Sequence, residues 1–142
     1  MKLYYAGPLF SLSELNFNKQ LTLKIRTLGY DVFLPQEQSF NLENYDSVKA
    51  KNNAIFELDR KEMLSSDIFL FVLDGRIPDE GACVALGIMQ AYKSMQNQSV
   101  QLIGLHTDRR VAFSDTALNP MIDSSLDMVF KSEEELINYL SK

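Results

Sequence analysis

The chain has 142 residues, 46% hydrophobic and 23% charged, which suits one globular domain with a buried core. Its formal net charge of −5 argues against a general nucleic-acid binder, which needs a basic face. No run approaches the ~20 apolar residues of a membrane span, and the N-terminal apolar stretch is too short for a signal peptide. The lone Cys83 excludes an intramolecular disulfide and fits a reducing compartment. A single domain over residues 1–142, cytoplasmic and free of membrane, is expected.

Leu3-Tyr-Tyr-Ala6, stopped by Gly7-Pro8, reads as a buried first strand and a turn. Ser11 and Ser13 both suit a helix cap. Behind them Phe17, Leu21, Ile25 and Leu28 share one helical face, and Gly29 supplies a left-handed stop. Asp31–Leu34 is a second strand closed by Pro35. Residues 36–44 are polar and form a loop. A second helix is expected from about Tyr45 to Leu64, with Val48, Ile55, Leu58 and Met63 on its apolar face.

Ile68–Leu73 is the most apolar strand, and its lack of alternation implies burial on both faces. It runs into a polar loop holding Asp74, Gly75, Pro78, Asp79, Glu80 and Gly81, then a helix to Met95. Val100–Leu105 and Met128–Phe130 are further strands, separated by an irregular stretch from Thr107 to Pro120. Ser132-Glu-Glu-Glu135 is a capping box for a last helix. The alternation predicts an α/β fold: a three-layer flavodoxin-like sandwich, mostly parallel and five-stranded, with helices on both faces. Ligands of such folds bind beyond the C-terminal strand ends. The loops there are Gly7–Phe10, Pro35–Asn44, Asp74–Gly81 and His106–Pro120.

The chemistry-bearing residues each have a functional and a structural reading. Gly7 either admits a ligand close to the first strand or only makes the turn. Asp67, at the head of the central strand, is an oriented acid or a turn residue. Asp74, Asp79 and Glu80 form an acidic turn, and Asp79 also suits an N-cap. His106 is the single histidine, with no recognisable Ser or Cys partner, and Cys83 sits among small apolar residues. One His and one Cys make no zinc site, so no metal is expected. No glycine-rich phosphate loop follows the first strand, so no nucleotide cofactor is expected either. Asp108-Arg109-Arg110 reads as an exposed loop or as a contact for phosphate or a partner subunit.

Five motifs occur in order along nearly the whole chain: Tyr4-Tyr-Ala-Gly-Pro-Leu-Phe10, Phe33-Leu-Pro-Gln-Glu37, Ser66-Asp-Ile-Phe-Leu-Phe-Val-Leu-Asp-Gly75, Asp79-Glu-Gly-Ala-Cys-Val-Ala-Leu-Gly87 and Asn119-Pro-Met-Ile122. Together they resemble the nucleoside 2-deoxyribosyltransferase family. The resemblance implies transfer of a 2-deoxyribosyl group between nucleobases by double displacement, through a glycosyl ester on a glutamate. It implies a deoxynucleoside and a free nucleobase as partners, and a homo-oligomer in which a neighbour completes each site. By that resemblance Tyr4 holds the nucleophile, Asp67 meets the departing base and Asp79 contacts the sugar hydroxyls. Gly7 lies under the substrate, and one of Gln36, Glu37 and Gln38 lies where the base is recognised. Asn119 reaches the sugar 5′ end of a neighbour's site, with Met121 close by.

One position departs from the family. Where the family has Gly-x-x-x-Glu-Leu-Gly, this chain has Gly81-Ala-Cys-Val-Ala85-Leu-Gly87. A methyl group cannot attack an anomeric carbon. Three explanations follow: a deliberate Glu→Ala substitution, a natural pseudo-enzyme that binds nucleosides, or a takeover by Glu80 or Asp79. The rival activity is a nucleoside or nucleotide N-glycosidase, with water as acceptor. A flavodoxin or receiver protein is disfavoured, because Ala6-Gly7-Pro8 offers neither a phosphate loop nor paired acids.

Overall fold

A computed structural model describes residues 1–108 and 118–142. Five strands, β1 (Lys2–Ala6), β2 (Asp31–Phe33), β3 (Ile68–Val72), β4 (Gln101–Leu105) and β5 (Met128–Phe130), form one sheet in the order β2-β1-β3-β4-β5. Every neighbouring pair is parallel, so the sheet is wholly parallel, not merely mostly so. This is the expected flavodoxin-like order, and its direction reverses between β1 and β3.

The strands alternate between two cores. Leu3 and Tyr5 of β1 pack with Leu21 and Ile25 of α1 (Leu12–Thr27) and with Leu136 and Leu140 of α5 (Glu133–Leu140). Tyr4 and Ala6 face the other way, towards Met63 of α2 (Val48–Leu64) and Ala82, Leu86 and Met89 of α3 (Glu80–Met95). The period-2 pleat therefore commits Tyr4 to the α2–α3 side. All five residues of β3 are buried, as the unbroken apolar run requires.

Caps fix the helix starts. Ser11, not Ser13, caps α1, and Glu14 returns the bond to the Ser11 N–H at 2.7 Å. Gly29 follows α1 with φ of 90°, as a left-handed stop requires. Helix α2 starts at Val48 rather than Tyr45, because Ser47 caps it. Val48 then lies on the open first turn, 60% exposed, and not on the apolar face. A short α4 (Pro120–Asp123) is capped by Asn119. Arg109 and Arg110 lie outside the described residues. No helix among the described residues is long and apolar enough to cross a membrane.

Candidate active site

A cavity of about 450 Å³ opens between the C-terminal end of β1 and the facing sides of α2 and α3. That size suits a small organic ligand. Its floor is Tyr4, whose register partners are Phe33 on β2 and Phe69 on β3. The three rings stack with centroids 5.5 and 5.8 Å apart, so the strand pairing fixes the tyrosine's direction. Ala6 and Gly7 continue the floor. An added Cβ on Gly7 would lie 3.0 Å from Val72 Cβ and 3.2 Å from the Val72 carbonyl oxygen. Close approach to β3, not backbone angle, requires glycine there.

Helix α2 contributes Asn52, Ile55, Phe56, Asp59 and Met63, a set spaced along one helical face. The Tyr4 hydroxyl neighbours Asp59 across the cavity and influences its protonation. Burial pushes the Asp59 carboxyl above the usual carboxylate range, and the tyrosine partly offsets this. Burial likewise raises the Tyr4 hydroxyl, reinforced by the Asp59 charge. An acid held towards its neutral form in a cleft is suited to donating a proton.

Helix α3 forms the opposite wall with Asp79, Gly81, Ala82, Val84, Ala85 and Ile88. Asp79 caps the helix, its Oδ2 accepting the Ala82 N–H at 2.8 Å. Ala85 stands six residues beyond that cap and presents a methyl group to the cavity. Glu80 heads α3 and is not among the residues that line the cavity. Cys83 is held above the ordinary thiol range by burial, then by the charges of Asp79 and Glu80, which disfavours a thiolate.

The structure thus brings Tyr4, Gly7, Asp79 and Ala85 to one cavity and places Asp67 elsewhere. Asp67 precedes β3, at the opposite end of the sheet from the cavity. It is exposed, and its Oδ2 accepts the Lys2 N–H at 2.8 Å. In a parallel strand the first residue and the C-terminal crevice are separated by the strand's whole length. The acid that meets Tyr4 is Asp59. Its signal in the sequence was a carboxylate between Ile55 and Met63 on the apolar face of α2, where charge is out of place.

Gln36, Glu37 and Gln38 are not among the residues that line this cavity. Gln36 is tied up: its Oε1 accepts from Asn18 Nδ2, and its Nε2 donates to the Leu15 carbonyl, each at 2.9 Å. Asn18 in turn accepts from the Tyr5 hydroxyl at 2.7 Å. Glu37 pairs with Arg26 at 2.7 Å. Gln38 is exposed and does not line the cavity. Asn119 and Met121 are exposed and lie outside this chain's own cavity, Asn119 Oδ1 accepting the Met121 N–H. His106 is buried at the end of β4, away from the cavity, and burial and Lys131 hold its pKa below the usual range. Asp74 accepts from the Thr107 N–H, the Thr107 hydroxyl and the Asp108 N–H, pinning two loops together.

The sequence profile of the nucleoside 2-deoxyribosyltransferase family matches residues 3–140. An uncharacterised protein of Ureaplasma parvum serovar 3 is 27% identical over 150 aligned positions, covering 99% of this chain and 94% of the relative. A conserved protein of Enterococcus faecalis V583 is 29% identical in its crystal structure, with a TM-score of 0.74 over 99% of this chain and 96% of the other. The 2-deoxyribosyltransferase of the psychrotolerant bacterium Bacillus psychrosaccharolyticus shares the fold, with a TM-score of 0.79 and 22% identity over 98% and 92% of the two chains. With a profile match over nearly its whole length, and a site built at the reversal point of the same fold, this chain belongs to the nucleoside 2-deoxyribosyltransferase family.

Proposed function

We propose that the cavity binds a 2-deoxynucleoside, and that the chain as written holds the transferase site without its nucleophile. The observation that carries this is the position of Ala85. It lines the same cavity as Tyr4, Asp59 and Asp79, six residues past the Asp79 cap of α3. A carboxylate there would face the sugar; a methyl group forms no ester.

The proposed roles follow from placement. Asp59 protonates the departing base: its raised pKa favours the proton-bearing form, and it sits within the cavity. Tyr4 orients Asp59 and the anomeric face. Asp79 uses Oδ2 as the helix cap and has Oδ1 left for a sugar hydroxyl. Asn119 and Met121, exposed and away from this cavity, complete the site of a neighbouring chain in a homo-oligomer. With a glutamate at position 85, its carboxylate would form a bond to the anomeric carbon as the bond to the base nitrogen breaks. The electron pair would pass to the base, which takes the Asp59 proton. A second base, or water in an N-glycosidase, would then open the ester.

Ala85→Glu tests this. The substituted protein is expected to exchange bases on a deoxynucleoside, and the parent to bind the nucleoside without turnover. Comparing exchanged nucleoside with free deoxyribose separates transferase from hydrolase. No turnover by Ala85→Glu across purine and pyrimidine deoxynucleosides would overturn the proposal. Turnover by the parent, abolished by Glu80→Gln, would overturn it in favour of Glu80.

A further inference from the structure

Resting on that reading of the cavity, we infer that Asn52 recognises the exocyclic edge of the nucleobase and sets which bases the site takes. Asn52 and Asp59 line the same cavity from the same helix, seven residues and nearly two turns apart. Their side chains leave the helix in the same direction. At 1.5 Å per residue they stand about 10 Å apart along the axis. One hydrogen bond of about 2.9 Å at each end leaves roughly 5 Å between them, room for one six-membered heterocycle. Ile55 and Phe56 lie between the two on that face, and Leu9, Phe10 and Pro35 supply further apolar wall. A flat ring held there has apolar surface against its faces and a polar group at each end.

The other polar side chains of the cavity are engaged. Tyr4 and Asp59 neighbour one another, and Asp79 commits Oδ2 to capping α3 and is assigned to the sugar. The Asn52 carboxamide forms no hydrogen bond among the described residues. It is therefore the amide left to meet a ligand. A carboxamide carries both a donor and an acceptor and can turn either towards a base. It accommodates an exocyclic amino group or an exocyclic oxygen, so the parent site accepts both kinds of base. A carboxylate at the same place accepts only.

The test is calorimetric binding to the full chain of two nucleoside pairs that differ at this edge: 2′-deoxyadenosine with 2′-deoxyinosine, and 2′-deoxycytidine with 2′-deoxyuridine. The parent is expected to bind both members of a pair within a few-fold. Asn52→Leu is expected to weaken both by roughly fivefold to tenfold, the worth of one hydrogen bond. Asn52→Asp is expected to keep the amino-bearing member and to weaken the oxo member by about tenfold. A structural role for this exposed residue would give no such split. Unchanged affinities for Asn52→Leu, or equal weakening of both members by Asn52→Asp, overturn the role of Asn52 and leave the site standing. No binding of any of the four to the parent overturns both.

Discussion

The Tyr4 hydroxyl on the first strand and the Asp59 carboxyl on the second helix line one cavity as neighbours, and each group is shifted towards its neutral form. Burial is the larger cause for both. The ring stack of Phe33, Tyr4 and Phe69 holds the hydroxyl in place without help from Asp59. The pair is therefore a rigid donor beside a carboxyl whose proton is easily kept.

This arrangement has a cost in stability. A carboxyl whose native pKa is raised binds its proton more tightly in the folded chain than in the unfolded one. Its contribution is fully present below the unfolded value of about 4 and is lost as pH rises through the native value. Asp59→Asn removes that loss. Its Tm is expected to exceed the parent's at neutral pH, each kcal/mol recovered being worth about 4 °C at this chain length. The difference should close below about pH 4, where the parent carboxyl is protonated in both states. Thermal unfolding of the two proteins across that range checks it, and a parent as stable as Asp59→Asn at neutral pH would contradict it.

Tyr4→Phe keeps the stacked ring and deletes the hydroxyl. Because the neighbouring tyrosine hydroxyl lowers the Asp59 pKa against burial, its loss should move the Asp59 carboxyl further up. Carboxyl-carbon NMR titration reads this directly. A downward or unchanged value would show that the two groups are not coupled.

Asp59 lines the cavity and Asp67 does not, so their substitutions should differ in effect. In an Ala85→Glu background, Asp59→Asn is expected to lower the exchange rate by about 10²–10⁴-fold, as the loss of a general acid does. Asp67→Asn should leave the rate within a few-fold and cost about 0.5–1.5 kcal/mol of stability, the worth of its bond from the Lys2 N–H. Initial-rate kinetics and urea unfolding of both variants decide between them. A rate loss confined to Asp67→Asn would reverse the assignment.

Gly7→Ala puts a Cβ 3.0 Å from Val72 Cβ and 3.2 Å from the Val72 carbonyl, so the β1–α1 turn must lift from β3. A cost of about 1–3 kcal/mol is expected from such overpacking. The cavity floor shifts with it, so deoxynucleoside binding should weaken too. A variant as stable as the parent that binds equally well would show that the floor has slack.

Much of this was written in the linear chain. The uninterrupted apolar run of β3, the Ser11 and Ser132 caps, the Gly29 stop and the strand–helix alternation are local signals, and each acts within a few residues of itself. They determine the elements, and with the parallel crossovers they determine the sheet order. Asp79 as a helix cap and Ala85 as the departure from the family pattern are local in the same sense, being separated by fixed helical spacing.

What the tertiary structure decided is which end of a strand a residue occupies and what faces it from another element. Asp67 belongs to a striking-distance motif in sequence but lies a full strand length from the crevice. Asp59 and Asn52 belong to no motif, and reach the site because α2 packs one face across β1. Gln36 looked available until Asn18 and Leu15, 18 and 21 residues away, took up its amide. Short-range order is fixed by backbone hydrogen bonds and side-chain spacing. The partners of a carboxylate or an amide are fixed by long-range packing, and only the folded chain brings them together.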